Sequence, residues 1–146
     1  MAVFTITGAT GSVGRAIIQT LQSQSHEIRV LSTRKSVEIK DVSSFYWNPA
    51  TNEIDQDALM GADYLIHLAG ATVSKRWTPA YKKLIMDSRV DGTQLLLSAT
   101  SRLKTPLKAV ISASAIGYYG SDLERLMTEE DAPACGSIPD ACASPF

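Results

Sequence analysis

The 146-residue sequence is poor in cysteine: it holds two, Cys135 and Cys142. Their spacing matches neither a zinc-ligand pair nor a redox Cys-x-x-Cys, and no second ligand lies near His26 in sequence, so no metal site is expected. A reduced, cytoplasmic setting is the expectation that follows. An excess of positive charge is missing too, with 14 Lys and Arg against 15 Asp and Glu. That excludes the basic footprint of a nucleic-acid binder. No run of about 18 apolar residues occurs, so no membrane span is expected. The first residues lack the cations and cleavage site of a signal peptide. There is no internal repeat, and the length suits one domain with its own core.

What is present begins at the first strand. Ala2-Val3-Phe4-Thr5-Ile6-Thr7 is rich in β-branched and aromatic residues and reads as a buried strand. Gly8-Ala9-Thr10-Gly11-Ser12-Val13-Gly14 follows at once, and an amphipathic helix over Ser12–Ser23 begins inside it. Strand, glycine turn and helix form the context that gives a dinucleotide fingerprint meaning. Gly8 permits a tight turn, Gly11 a close backbone approach to a pyrophosphate, and Gly14 close helix–strand packing. The first amides of the helix would then face phosphate. The spacing is Gly-x-x-Gly-x-x-Gly, and glycines also favour an ordinary strand-to-helix connection.

Glu27–Leu31 reads as a second strand, followed by Ser32-Thr33-Arg34-Lys35-Ser36. In a βαβ dinucleotide site this strand end reaches the adenosine ribose. No acid stands there to accept from free ribose hydroxyls. Arg34 can instead grip a 2′-phosphate with parallel hydrogen bonds, so NADP is expected over NAD. The polar stretch before this strand contains His26, read as a solvated loop residue.

Ser43–Trp47 is a third strand, closed by Asn48-Pro49. Ile54–Met60 is predicted as a short helix with Asp55 as N-cap and Gly61 as terminator. Tyr64–Leu68 is a central parallel strand, apolar on both faces, with His67 expected in the core. Leu68-Ala69-Gly70 supplies small residues at its end. Thr78-Pro79 starts a helix to about Arg102. Its stripe is Tyr81, Leu84, Ile85, Ser88, Gly92, Leu95, Leu96 and Ala99, with Arg89 at the edge. Gly92 in mid-helix implies a close packing contact. Leu107–Ile111 is a fifth strand, followed by Ser112-Ala113-Ser114-Ala115-Ile116-Gly117-Tyr118-Tyr119-Gly120.

Strands alternate with helices, which implies an α/β chain: a Rossmann-type doubly wound parallel sheet, incomplete at its C-terminal end. The four stretches singled out all fall at the carboxyl ends of strands, where such sheets bind ligands.

On these residues the chain resembles the extended short-chain dehydrogenase/reductase superfamily. Within it, the chain is most similar to the atypical nucleoside-diphosphate-sugar epimerase-like family, the 39U type. The matching stretches are Ile6–Gly14, Leu68–Gly70, Lys75-Arg76-Trp77, Asp87-Ser88-Arg89, Gly92–Leu96 and Ser112–Gly120. The resemblance implies NADP(H) bound through Gly8, Gly11, Ser12, Val13, Gly14, Thr33, Arg34, Leu68, Ala69, Gly70 and Arg89. It implies that Ser114 polarises a substrate oxygen, with Tyr118 or Tyr119 assisting. It also implies an oxidoreductase or epimerase acting on a small molecule, and a homodimer through the helix over 79–102.

The chain departs from the superfamily pattern at several points. No Tyr-x-x-x-Lys pair occurs, so the usual base and its lysine are missing, and Ala71 stands where a Glu is common. Residues 1–133 are expected to form the NADP-binding domain and 134–146 an atypical, poorly ordered tail, with the substrate-binding lobe absent. Three readings stay open: an NADP-dependent oxidoreductase or epimerase, a non-catalytic NADP-binding module, and a fragment without stable function.

Overall fold

The computed structural model describes residues 1–34, 37–113, 119 and 126–132. The chain divides into two units, Met1–Ser112 and Ala113–Phe146. In the second, the Thr128 amide and hydroxyl both donate to Asp131 Oδ2, and the Asp131 amide returns to the Thr128 carbonyl, closing a turn.

The first unit carries a six-stranded sheet. Its strands are β1 (Val3–Thr7), β2 (Glu27–Ser32), β3 (Ser43–Asn48), β4 (Glu53–Ile54), β5 (Tyr64–His67) and β6 (Ala109–Ser112). Helices α1 (Ser12–Ser23) and α2 (Pro79–Thr100) join them. The spatial order is β4-β3-β2-β1-β5-β6. Every pairing is parallel except β3 with β4. This is a Rossmann-type sheet, with β1 at its centre and the chain reversing direction of travel there.

Side-chain alternation along the strands builds two cores. On one face Ile6, Ile28, Val30 and Ile66 pack with Ile18 and Leu21 of α1. On the other, Leu31, Trp47 and Leu65 pack with Leu95, Leu96 and Ala99 of α2. The sheet is therefore covered by a helix on each face, as a doubly wound fold requires.

Thr78 caps α2 by accepting from the Tyr81 amide, with Pro79 as the first helical residue, as expected. The buried stripe is shorter than the sequence suggests. Gly92, Leu95, Leu96 and Ala99 are buried, but Leu84, in the first turns of α2, is half exposed. Gly92 lies against Trp47 and His67, yet a Cβ there would stand 3.5 Å from each ring. That is ordinary contact, so packing does not demand the glycine.

The predicted helix over 54–60 is not formed. A single 3-10 turn at Pro49–Thr51 and left-handed Asn52 (φ 55°) fold the chain back on β3, and Glu53–Ile54 becomes the antiparallel edge strand β4. Asp55 does cap, but only one 3-10 turn, Gln56–Ala58. His26 is not a solvated loop residue either. It is half-buried against Phe4, with ring centroids 5.1 Å apart, and its Nδ1 accepts from the Ala2 amide.

The lower sheet edge is tied by charge. Asp63 accepts from the Val3 amide at 2.8 Å and pairs with Lys108 at 2.7 Å, linking the starts of β1, β5 and β6. No described helix is long and apolar enough to cross a membrane.

Candidate functional site: the carboxyl ends of β1, β2 and β5

The glycine turn leaves β1 through Gly8, whose φ of +71° favours glycine. A Cβ on Gly8 would stand 2.8 Å from the Leu68 carbonyl carbon and 2.9 Å from the Ala69 nitrogen. The turn therefore rests directly on the backbone after β5. Gly14 has no room either, since a Cβ would meet the Gly8 carbonyl oxygen at 2.5 Å and the Ala9 Cα at 2.8 Å. Gly11 differs. A Cβ there would touch only the Gly8 carbonyl oxygen, at 3.4 Å. Two glycines serve internal packing, and the third presents bare backbone to the surface.

The Gly11 amide closes the turn onto the Gly8 carbonyl, and the first intrahelical bond runs from the Arg15 amide to the Gly11 carbonyl. No side chain caps the helix start. The amides of Ser12, Val13 and Gly14 precede that first bond, at the positive end of the α1 dipole. A helix start with uncapped amides and an adjoining bare glycine can receive a phosphate. The cradle thus fits the dinucleotide expected from the sequence.

Thr7 and α2 organise the end of β5. Thr7 Oγ1 accepts from the Leu68 and Ala69 amides at 3.1 and 3.2 Å. Ser88 Oγ accepts from the Ala71 amide at 3.0 Å and donates to the Ile85 carbonyl. Arg89 Nη1 donates to the carbonyls of Ile85 and Ala71, which lays its guanidinium beside Gly70. Arg89 therefore places a fixed cation next to the small-residue strand end. His67 is buried, as expected, and is held below its ordinary pKa by burial first and by the Arg89 charge second.

Beyond β2, the Arg34 amide donates to Ser32 Oγ, and the exposed Thr33 and Arg34 stand at the strand end. Arg34 borders a hollow of about 720 Å³ that reaches the glycine turn at Thr10. Arg15, Gln19 and Gln22 of α1 line it, with Glu38 and Lys40 opposite. Three cations and one carboxylate make it positive. Sequence reasoning passed over Arg15 and Lys40. The signal for Arg15 was available, because Arg15, Gln19 and Gln22 share one helix face at steps of four and three. A second hollow, of about 450 Å³ between β4 and the end of α2, shares no residue with these strand ends.

Ser114 and Tyr118 lie outside the described residues, as does the tail over 134–146. Tyr119 is half-buried within the second unit. No cluster of metal-ligating side chains occurs among the described residues.

The chain is similar to several known proteins. An epimerase family protein of Mycobacterium leprae is 30% identical over 142 residues, covering 97% of this chain and 45% of its own length. The crystal structure of the human epimerase family protein SDR39U1 (isoform 2) with NADPH superposes with a TM-score of 0.72 at 24% identity, over 90% of this chain and 42% of that one. MoeE5 in complex with UDP-glucose and NAD gives a TM-score of 0.73 at 21% identity, over 92% and 42%. The chain spans less than half the length of the relatives it matches. Residues 4–139 match the NAD dependent epimerase/dehydratase family, and the chain belongs to that family.

Proposed function

We propose that this chain is the nicotinamide-dinucleotide-binding part of an epimerase-family oxidoreductase, and that it takes NADP(H) in preference to NAD(H). The observation that carries the reading is the meeting of the Gly8–Gly14 turn with the Leu68–Ala69 backbone, beside a positive hollow bordered by Arg34. Ser12, Val13 and Gly14 would receive the pyrophosphate on their amides, with Gly11 admitting it closely. Leu68, Ala69 and Gly70 would lie along the cofactor, and Arg89 would offer positive charge at the same end. Thr33 and Arg34 would hold the adenosine side, where a guanidinium suits a 2′-phosphate. The bound dinucleotide would supply hydride chemistry. NADPH in the human structure and NAD in MoeE5 are both compatible with a nicotinamide cofactor.

Ser114 would polarise a substrate oxygen, and Tyr118 or Tyr119 would assist, in an enzyme acting on a small molecule. Residues 1–133 would form the binding domain. A homodimer through α2 would use side chains that the helix leaves exposed, such as Val90 and Leu97, because Leu95, Leu96 and Ala99 of the stripe are already packed in the core.

A second reading, a non-catalytic NADP-binding module, is favoured by one observation: the 146 residues contain no Tyr-x-x-x-Lys. Titration of the purified chain with NADPH and NADH tests both readings. Saturable binding, tighter for NADPH, is expected, and Arg34→Glu should weaken NADPH far more than NADH. Absence of binding by either nucleotide contradicts both readings, and equal loss of the two contradicts the 2′-phosphate role. Hydride exchange with a panel of small carbonyl compounds then separates enzyme from module.

A further inference from the structure

His67 and Thr7 are register partners at the ends of β5 and β1, and both are buried. Thr7 Oγ1 lies 2.7 Å from His67 Nδ1. The same oxygen accepts from the Leu68 and Ala69 amides. A hydroxyl has two lone pairs and one proton. Two amide donors occupy both lone pairs, so the proton has one remaining destination, the imidazole nitrogen. Nδ1 must then be an unprotonated acceptor, and the neutral ring carries its hydrogen on Nε2.

We propose that His67 is a positioning residue of the cofactor site: as the Nε2-protonated imidazole it takes the Thr7 proton and so turns both Thr7 lone pairs to the Leu68 and Ala69 amides. Those two residues are the backbone on which Gly8 rests. A side chain that touches no nucleotide thereby sets the turn that the nucleotide would lie against. The inference rests on the reading of these strand ends as an NADP(H) site.

The surroundings suit a neutral ring. β1 presents Thr7, β3 presents the edge-on Trp47 ring at 6.0 Å, α2 presents Gly92 and Arg89, and β6 pairs Ser112 with it. Arg89 is the charged group among these, and its field opposes a second positive charge. Adding a proton to Nδ1 would set three donors against two lone pairs on Thr7, and one amide would lose its acceptor.

Two measurements on the full chain test this. The first needs no nucleotide: the nitrogen-15 spectrum of the His67 ring at neutral pH. It should show the hydrogen on Nε2, and a hydrogen on Nδ1 overturns the inference whatever the chain binds. The second is the NADP⁺ dissociation constant between pH 8 and pH 5 for wild type and His67→Asn, whose side-chain oxygen accepts the Thr7 proton without titrating. The ligand's own 2′-phosphate titrates in both, so the difference between the profiles is the readout. Below the His67 pKa, itself under 6.5, wild type should lose affinity relative to His67→Asn by up to about tenfold per pH unit. Parallel profiles over a range in which the nitrogen-15 spectrum shows the ring gaining its second proton overturn the role. His67→Leu, which has no acceptor, should bind weakly at every pH. If it fails to fold, Thr7→Ser, which keeps the hydroxyl, and Thr7→Val, which removes it, make the same comparison, and equal affinity in those two overturns the role. Wild type that binds no NADP⁺ at any pH overturns the site reading and the positioning role together, while the ring spectrum still decides the hydrogen-bond arrangement.

Discussion

Gly8 and Leu68 meet backbone to backbone: a Cβ on Gly8 would lie 2.8 Å from the Leu68 carbonyl carbon. Neither partner is a flexible side chain end, so nothing nearby can yield cheaply. Gly8→Ala also forces alanine into φ +71°. It should cost roughly 1–3 kcal/mol, in the range of overpacking. Gly14→Ala should cost as much, given 2.5 Å to the Gly8 carbonyl oxygen. Gly92→Ala is the contrasting case, because 3.5 Å to its neighbours leaves room for a methyl. It should stabilise by up to about 1 kcal/mol through helix propensity. Urea unfolding of the three variants checks the order.

Arg15 shares the positive hollow with Arg34. If that hollow receives a 2′-phosphate, Arg15→Gln should weaken NADPH by on the order of threefold to tenfold, less than loss of a buried charge-assisted bond. NADH should change by less than about twofold, within the usual range for a surface substitution. Fluorescence titration of both nucleotides separates the outcomes. A similar loss for NADH would assign Arg15 to the general field of the site.

Asp63 holds the lower sheet edge, and the Lys108 ammonium, then the Val3 amide, keep its carboxyl below its ordinary 3.8. A depressed acid stabilises the fold above its unfolded pKa and loses that contribution as pH falls through the folded value. Wild type should therefore begin to lose this stability as pH falls below the ordinary value and lose the rest as it passes through the lower folded value. Asp63→Asn should be less stable than wild type at pH 7, and the gap should close as the pH falls below 3.8. Lys108 is raised above 10.5 by the same pair, so its contribution is present below that value and fades as pH rises through the folded pKa. Denaturant midpoints across the two pH ranges test both signs.

Much of this was legible from local pattern. The β-branched run before Gly8, the period of Val13, Ile17 and Leu21, and the Thr78-Pro79 start each state their element without help from elsewhere. The tight turn at Gly8 and the close packing at Gly14 follow from the glycine triplet read together with the strand before it and the helix after it. What escaped was set by distant partners. Glu53–Ile54 is a strand only because Trp47–Asn48 lies opposite it, and no periodicity announces a two-residue pairing. His26 looks solvated until Phe4 and the Ala2 amide are brought to it. Gly92 suggests a tight contact by propensity, yet its freedom depends on where the Trp47 and His67 rings stop. Arg15 joins Arg34 only when 37–40 folds beside α1.

The central claim is that a nicotinamide dinucleotide lies across the strand ends of β1, β2 and β5. Amide chemical-shift mapping of the chain during NADPH titration tests it most directly. Saturating shifts should concentrate at Gly11–Gly14, at Thr33 and Arg34, and at Leu68–Gly70, with the Asn52–Gln56 and Ser98–Arg102 hollow unmoved. Shifts concentrated in that hollow, or none at the glycine turn, would contradict the account.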